Sequence, residues 1–177
     1  MIDGIRYPIR NKGDYRVILD ILVMLEDANL SEQEKAICTL KIFYEDWIQI
    51  PENKLEIAVK EAFKFIDLGE EPKQTPQKAK LMDWEQDFKI IVSPINRVLG
   101  KEIRALDYLH WWTFMSAYYE IGDCLFANIV SIRNKKAKGK KLEKYEQDFY
   151  KENMDMIKIK TKTTDAEDEL LKEILGY

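Results

Sequence analysis

One histidine, His110, is the only imidazole in the chain, and Cys38 and Cys124 are its only thiols. A single imidazole excludes motifs that need two histidines, among them the paired Glu-x-x-His sites of helical-bundle di-iron proteins. Two cysteines far apart in apolar-rich segments lack zinc-site spacing, and they read as buried free thiols of a reducing compartment. Seven glycines and five prolines are too few for the many tight turns of an all-β chain. No P-loop, Gly-x-Gly-x-x-Gly or Gly-x-Ser-x-Gly pattern occurs. No uncharged apolar run approaches the roughly 20 residues that span a bilayer. The first residues, MIDGIRYPIR, lack the apolar stretch of a secretory signal. These absences together predict a cytoplasmic protein with no membrane partner, no cofactor, no metal and no catalytic residue.

The residues that are present favour helices. Apolar residues make up 46% and charged residues 34%, which suits folded helices with charged outer faces. Asp14 can cap a helix running to about Ala28 whose Ile21–Leu25 cluster is apolar nearly all round. Ser31 and Glu34 form a capping box, and Ile37, Leu40, Tyr44 and Trp47 would line the helix that follows. Pro51 breaks it and opens a third helix through Leu55, Val59, Ala62 and Ile66, which Gly69 ends. Asp83 caps a helix with Trp84, Phe88 and Ile91 inward, and Ser93-Pro94 would restart it before Gly100.

Asp107 would then open a long aromatic helix, bent near Gly122 and continuing to Ile132. A last helix is expected from about Leu142 to Ile157, and a short one after a Thr164–Glu167 capping box. The predicted fold is an all-α compact bundle of about seven or eight helices, as one body or as two helical subdomains. Its parts are an N-terminal helical unit over 1–68, a linker or long loop over 69–80, a C-terminal helical unit over 81–158 built on the aromatic helix, and a charged tail over 159–177. The stretch 69–80 combines prolines, glycine and charge with almost nothing to bury.

Three constellations merit weighing for chemistry. Asp107 and His110, three apart, would share a helical face, and a carboxylate orienting an imidazole is half of a catalytic arrangement. Asp107 has a simpler use as a cap, and the structural reading is preferred. The segment from His110 to Met115 holds adjacent tryptophans, which point about 100° apart on a helix, so both are buried only if two faces are covered. It reads as the central core helix, with one aromatic face free to meet another protein. The run 133–141 carries six positive charges in nine residues. It reads as a solvated lysine loop near a helix end, with an anionic partner as the sharper alternative. It has no interleaved aromatics for base stacking, and the net charge of −4 opposes nucleic acid.

The stretch Ile9 to Glu26 (IRNKGDYRVILDILVMLE), the segment Trp84-Glu85-Gln86-Asp87-Phe88, the cluster His110-Trp111-Trp112-Thr113-Phe114 and the sequel Ile129-Val130-Ser131-Ile132-Arg133 with its lysines together resemble one family. This is the gene-product-fifteen family of small proteins from long-tailed bacteriophages of Gram-positive hosts. The resemblance covers most of the chain, least clearly after about residue 158. It implies a non-enzymatic role in tail morphogenesis, like that of tail-assembly chaperones that escort the long helical tape-measure protein, acting in the host cytoplasm. The alternatives are a structural tail or neck subunit of the virion and a nucleic-acid-binding regulator. Phage tail proteins are the expected partners, with self-association also open. Leu22, Trp111, Trp112, Phe114, Tyr118, Leu170, Leu171 and Ile174 are candidate protein contacts. Arg133, Lys135, Lys136, Lys138, Lys140 and Lys141 are candidates for an anionic partner.

Overall fold

The computed structural model describes residues 1–71 and 79–160 and is all-α, with no sheet among those residues. The chain divides into two compact units, the first described over 1–71 and the second over 79–160. The expected tail helix with Leu170, Leu171 and Ile174, and its Thr164–Glu167 box, lie outside the described residues.

In the first unit, α1 (Tyr15–Leu25) packs on α2 (Glu32–Phe43), and α2 packs on α3 (Leu55–Ile66). Asp14 caps α1 by accepting the Arg16 backbone N–H. Both halves of the Ser31–Glu34 box are formed at the start of α2. Ile18, Ile21, Leu40, Ala58 and Ala62 close the core at 0% exposure. The second helix ends sooner than its apolar stripe suggests, because Tyr44 is extended and Trp47 lies in a separate 3-10 turn, Trp47–Gln49. Arg10 accounts for that stop. Its guanidinium donates to the carbonyls of Lys41, Ile42 and Tyr44 at 2.9, 3.0 and 3.1 Å, meeting acceptors that have no helical donor at a C-terminus. The released Tyr44 turns its hydroxyl inward to donate to the Ala58 carbonyl.

Five helices build the second unit: α4 (Trp84–Leu99), α5 (Trp111–Tyr119), α6 (Leu125–Ala137), α7 (Lys144–Glu152) and α8 (Met154–Ile157). Three sequence expectations are corrected here. Ser93-Pro94 does not restart a helix: α4 runs through Pro94 without a break. Proline removes one backbone donor, but Ile91 and Ile95, both fully buried one turn apart, hold the helix across it. The long aromatic helix is two helices, parted by residues 120–124, where Gly122 takes φ +59° and the Cys124 sulfur accepts the Ala127 amide to start α6. Asp107 is not the cap of α5. His110 is, its Nδ1 accepting the Trp112 N–H at 3.1 Å.

Candidate protein-contact surface

Helix α5 has two faces that differ by one step along the sequence. Trp111 and Phe114 are 2% and 0% exposed, their rings stacked with centroids 5.5 Å apart and planes 16° from parallel. Trp84 of α4 packs on both, at 6.1 and 6.2 Å, and on Tyr118 at 5.5 Å. Tyr118 then reaches Phe126 of α6, and its hydroxyl donates to the Met82 sulfur. Burial pushes the Tyr118 phenol above its usual range, with nearby negative charge adding to the effect. This cluster is the unit's aromatic core. Trp111 and Phe114, expected as protein contacts, are therefore core residues with no surface to offer, and Tyr118 is half-buried against Trp84.

The opposite face of α5 is different. Trp112 is 41% and Tyr119 66% exposed, and with Ser116 they follow the i, i+4, i+7 spacing of one helical stripe. Ser116 returns its hydroxyl to the Trp112 carbonyl, leaving the stripe with indole and phenol as its outward groups. The His110 ring stands edge-on to the Trp112 indole at 6.0 Å, so the same histidine that starts the helix also braces the exposed indole. Tyr119 is missing from the candidates read off the sequence, although its place seven residues after Trp112 was the available signal. Leu22 sits half-buried on α1 in the other unit.

The expected Asp107–His110 pair does not form a helical face, since Asp107 precedes α5 and His110 uses Nδ1 to cap it. Among the described residues, no group of three or more His, Cys, Asp or Glu side chains is placed to hold a metal ion. No helix among them is long and apolar enough to cross a membrane.

The basic run is divided by its helix. Arg133, expected among residues for an anionic partner, is 6% exposed and belongs to the core. Its guanidinium donates to both Asp87 oxygens at 2.5 and 3.0 Å and to the carbonyls of Leu81, Met156 and Ile157 at 3.1, 2.8 and 2.7 Å. All its donor directions are taken, so it has none left for a ligand. Lys135 pairs with Glu146 of α7 at 2.6 Å, and the hydrogen bond from its ammonium holds that carboxyl below the usual carboxylate range. Lys136 lies 3.9 Å over the Tyr150 ring. Lys138, Lys140 and Lys141 are exposed.

Between α6 and α7 lies a cleft of about 270 Å³, lined by Asn128, Ser131 and Ile132 on one side and Tyr145, Glu146 and Phe149 on the other. Sequence reading did not find it, because its walls come from two helices that only the fold brings together. Tyr145 overhangs it at 73% exposure.

Comparison with curated proteins and with solved structures finds no match in either. A family model described as Bacteriophage Gp15 protein matches residues 1–160, which take in all eight described α-helices, and the chain belongs to that family of bacteriophage proteins.

Proposed function

We propose that this phage protein acts without catalysis in tail morphogenesis, as a tail-assembly chaperone that binds the tape-measure protein in the host cytoplasm. The observation that carries the reading, beside family membership, is the outward stripe Trp112–Ser116–Tyr119 on a helix whose inward face is already filled by Trp111, Phe114 and Met115. Trp112 and Tyr119 keep a large part of their rings in solvent. Exposed tryptophan and tyrosine on a rigid helix supply large contact area at little entropic cost, which is what dominates protein interfaces. A single helical stripe meets a helical client along one face and releases it readily, as an escort must. The charged remainder of the surface keeps such a patch from driving indiscriminate association.

Co-expression with the tape-measure protein of the same phage tests this. The chaperone reading expects the client to become more soluble and to co-purify, and expects both effects to fall with Trp112→Ala and Tyr119→Ala. Mass spectrometry of purified virions separates it from a structural role, since an escort is absent from mature particles and a tail or neck subunit is present. Repeated failure of the two proteins to associate overturns it.

A further inference from the structure

Helices α7 and α8 are attached to the second unit differently from its other helices. The rings of the aromatic core come from α4, α5 and α6. Among residues 138–160, all of them described, Ile157 is the one buried apolar side chain, at 2% exposure. It closes a small cluster with Ile129 and Ile132 of α6, against which Leu142, Phe149, Tyr150 and Met156 are partly buried. The packing on α6 is made by α8, whereas α7 packs on α8 and faces α6 across the cleft of about 270 Å³. Residues 138–143 form the turn out of α6, with Gly139 at φ +63°. A turn, a loosely seated helix and an anchored end at 154–160 thus follow one another in the chain.

The anchored end is held by its backbone. Arg133 donates to the Met156 and Ile157 carbonyls at 2.8 and 2.7 Å. Gln86 donates to the Lys158 carbonyl at 2.8 Å and accepts the Lys160 N–H at 3.0 Å. Lys158 is extended, at φ −67° and ψ 124°, so the Gln86 carboxamide pairs with one carbonyl and the amide two residues on, as a neighbouring parallel strand does. Such contacts recognise an extended chain of any sequence, with one branched apolar side chain, Ile157, as the added requirement. The receiving side stands without its occupant, because Arg133 stays clamped by both Asp87 oxygens and by the Leu81 carbonyl. Departure of 154–160 would uncover Ile129 and Ile132 beside guanidinium and carboxamide groups still held in place.

We propose that α7 and α8 form an exchangeable strap, and that the slot beneath it, made by Ile129, Ile132, Arg133 and Gln86, takes the strap of a second copy of this protein. A segment with few buried apolar contacts opens at a lower free energy than the core it leans on. The slot itself sets the occupant: it is fitted to residues 154–160, and a neighbouring copy carries the same residues. Each copy then completes the other's second unit, with the turn 138–143 as the hinge, an exchange of identical elements between protomers. This contact is separate from the Trp112 stripe and does not depend on the function proposed above.

Hydrogen exchange and binding measured on the full-length protein test this. Amides of residues 154–160 are expected to exchange faster than those of α4 and α6 while the latter keep their protection; equal rates overturn the proposal. Ile157→Asp unseats the strap and vacates the slot. That variant is expected to bind a labelled peptide of residues 152–160 at least about tenfold tighter than the unaltered protein, whose slot its own strap fills. Adding Gln86→Ala to the variant weakens the binding about tenfold, and a peptide carrying Ile157→Asp does not bind. Should Ile157→Asp fail to fold, Ile157→Ala takes its place in the same comparisons. Mixing Ile157→Asp protein, which keeps an intact slot, with Gln86→Ala protein, which keeps an intact strap, is expected to give mixed dimers in native mass spectrometry, more than either variant gives alone. A mixture that stays monomeric overturns the proposal, as does a vacant slot that ignores the strap peptide or prefers peptides of the tape-measure protein.

Discussion

Arg133 and Asp87, 46 residues apart, meet as a buried two-pronged ion pair whose guanidinium also holds the last two carbonyls of α8. Asp87 accepts in turn from the Asp83 N–H at 3.0 Å, so the start of α4 is tied into the same network. Beside it, Gln86 donates to the Lys158 carbonyl and accepts the Lys160 N–H, at 2.8 and 3.0 Å. Residues 156–160 are thereby fixed to α4 by two neighbouring side chains. Arg133→Met would leave Asp87 buried without its counter-ion and would take the guanidinium donors from the Leu81 and Ile157 carbonyls, while Met156 keeps the Gln86 amide. The expected loss is about 3–5 kcal/mol in urea unfolding. Arg133→Lys is not expected to restore it, since one ammonium cannot span five acceptors. A loss under ~1 kcal/mol for Arg133→Met would contradict this role.

Gly13 sits at φ +77°, after Asn11 and Lys12, which also have positive φ. A methyl group there would stand 2.6 Å from the Phe65 ring of α3. Gly13→Ala is expected to cost ~1–3 kcal/mol from backbone strain, with the ring clash added. Thermal unfolding of Gly13→Ala alone and with Phe65→Leu separates the two: shortening the ring should recover only the clash.

Tyr44 gives the protein an alkaline limit. Burial, with a lesser contribution from the Glu61 charge, pushes its phenol up from 10.0 to about 12. The native state therefore keeps this proton at pH values where the unfolded chain has released it. The stabilisation is fully present below pH 10.0 and is lost as pH rises from there through about 12. Spectrophotometric titration should show one tyrosine ionising last, and that step should disappear in Tyr44→Phe. The same variant loses the bond to the Ala58 carbonyl, at about 1 kcal/mol near neutral pH.

Trp112→Ala and Tyr119→Ala should separate binding from folding. Both side chains are far more exposed than Trp111, so each change is expected to cost clearly less stability than Trp111→Ala. If the stripe is the client contact, Trp112→Ala costs at least ~2 kcal/mol of binding, read by titration calorimetry. Trp111→Ala does the reverse, destabilising the fold by ~3–5 kcal/mol through the cavity it leaves in the Trp84–Phe114–Tyr118 cluster. A Trp112→Ala variant that unfolds like Trp111→Ala would remove the basis for treating the two faces differently.

The sequence alone determined the all-α class, the caps at Asp14, Ser31 and Asp83, and the family, because helix period, cap chemistry and motif order are local properties of the chain. It could not say which of two adjacent tryptophans turns inward, since both faces of α5 are aromatic and Trp84, brought in by α4, packs on only one of them. Nor could it tell that Arg133 leaves the basic run for the core: the lysines beside it look alike in sequence, and what distinguishes it is Asp87 across the fold. Apolar periodicity also overran the real ends of α2 and the aromatic helix, where Arg10 and Gly122 stop the chain for reasons that periodicity does not carry. Local chemistry therefore wrote the helices, and tertiary packing alone decided which of their faces were left exposed, because burial depends on partners distant in the chain.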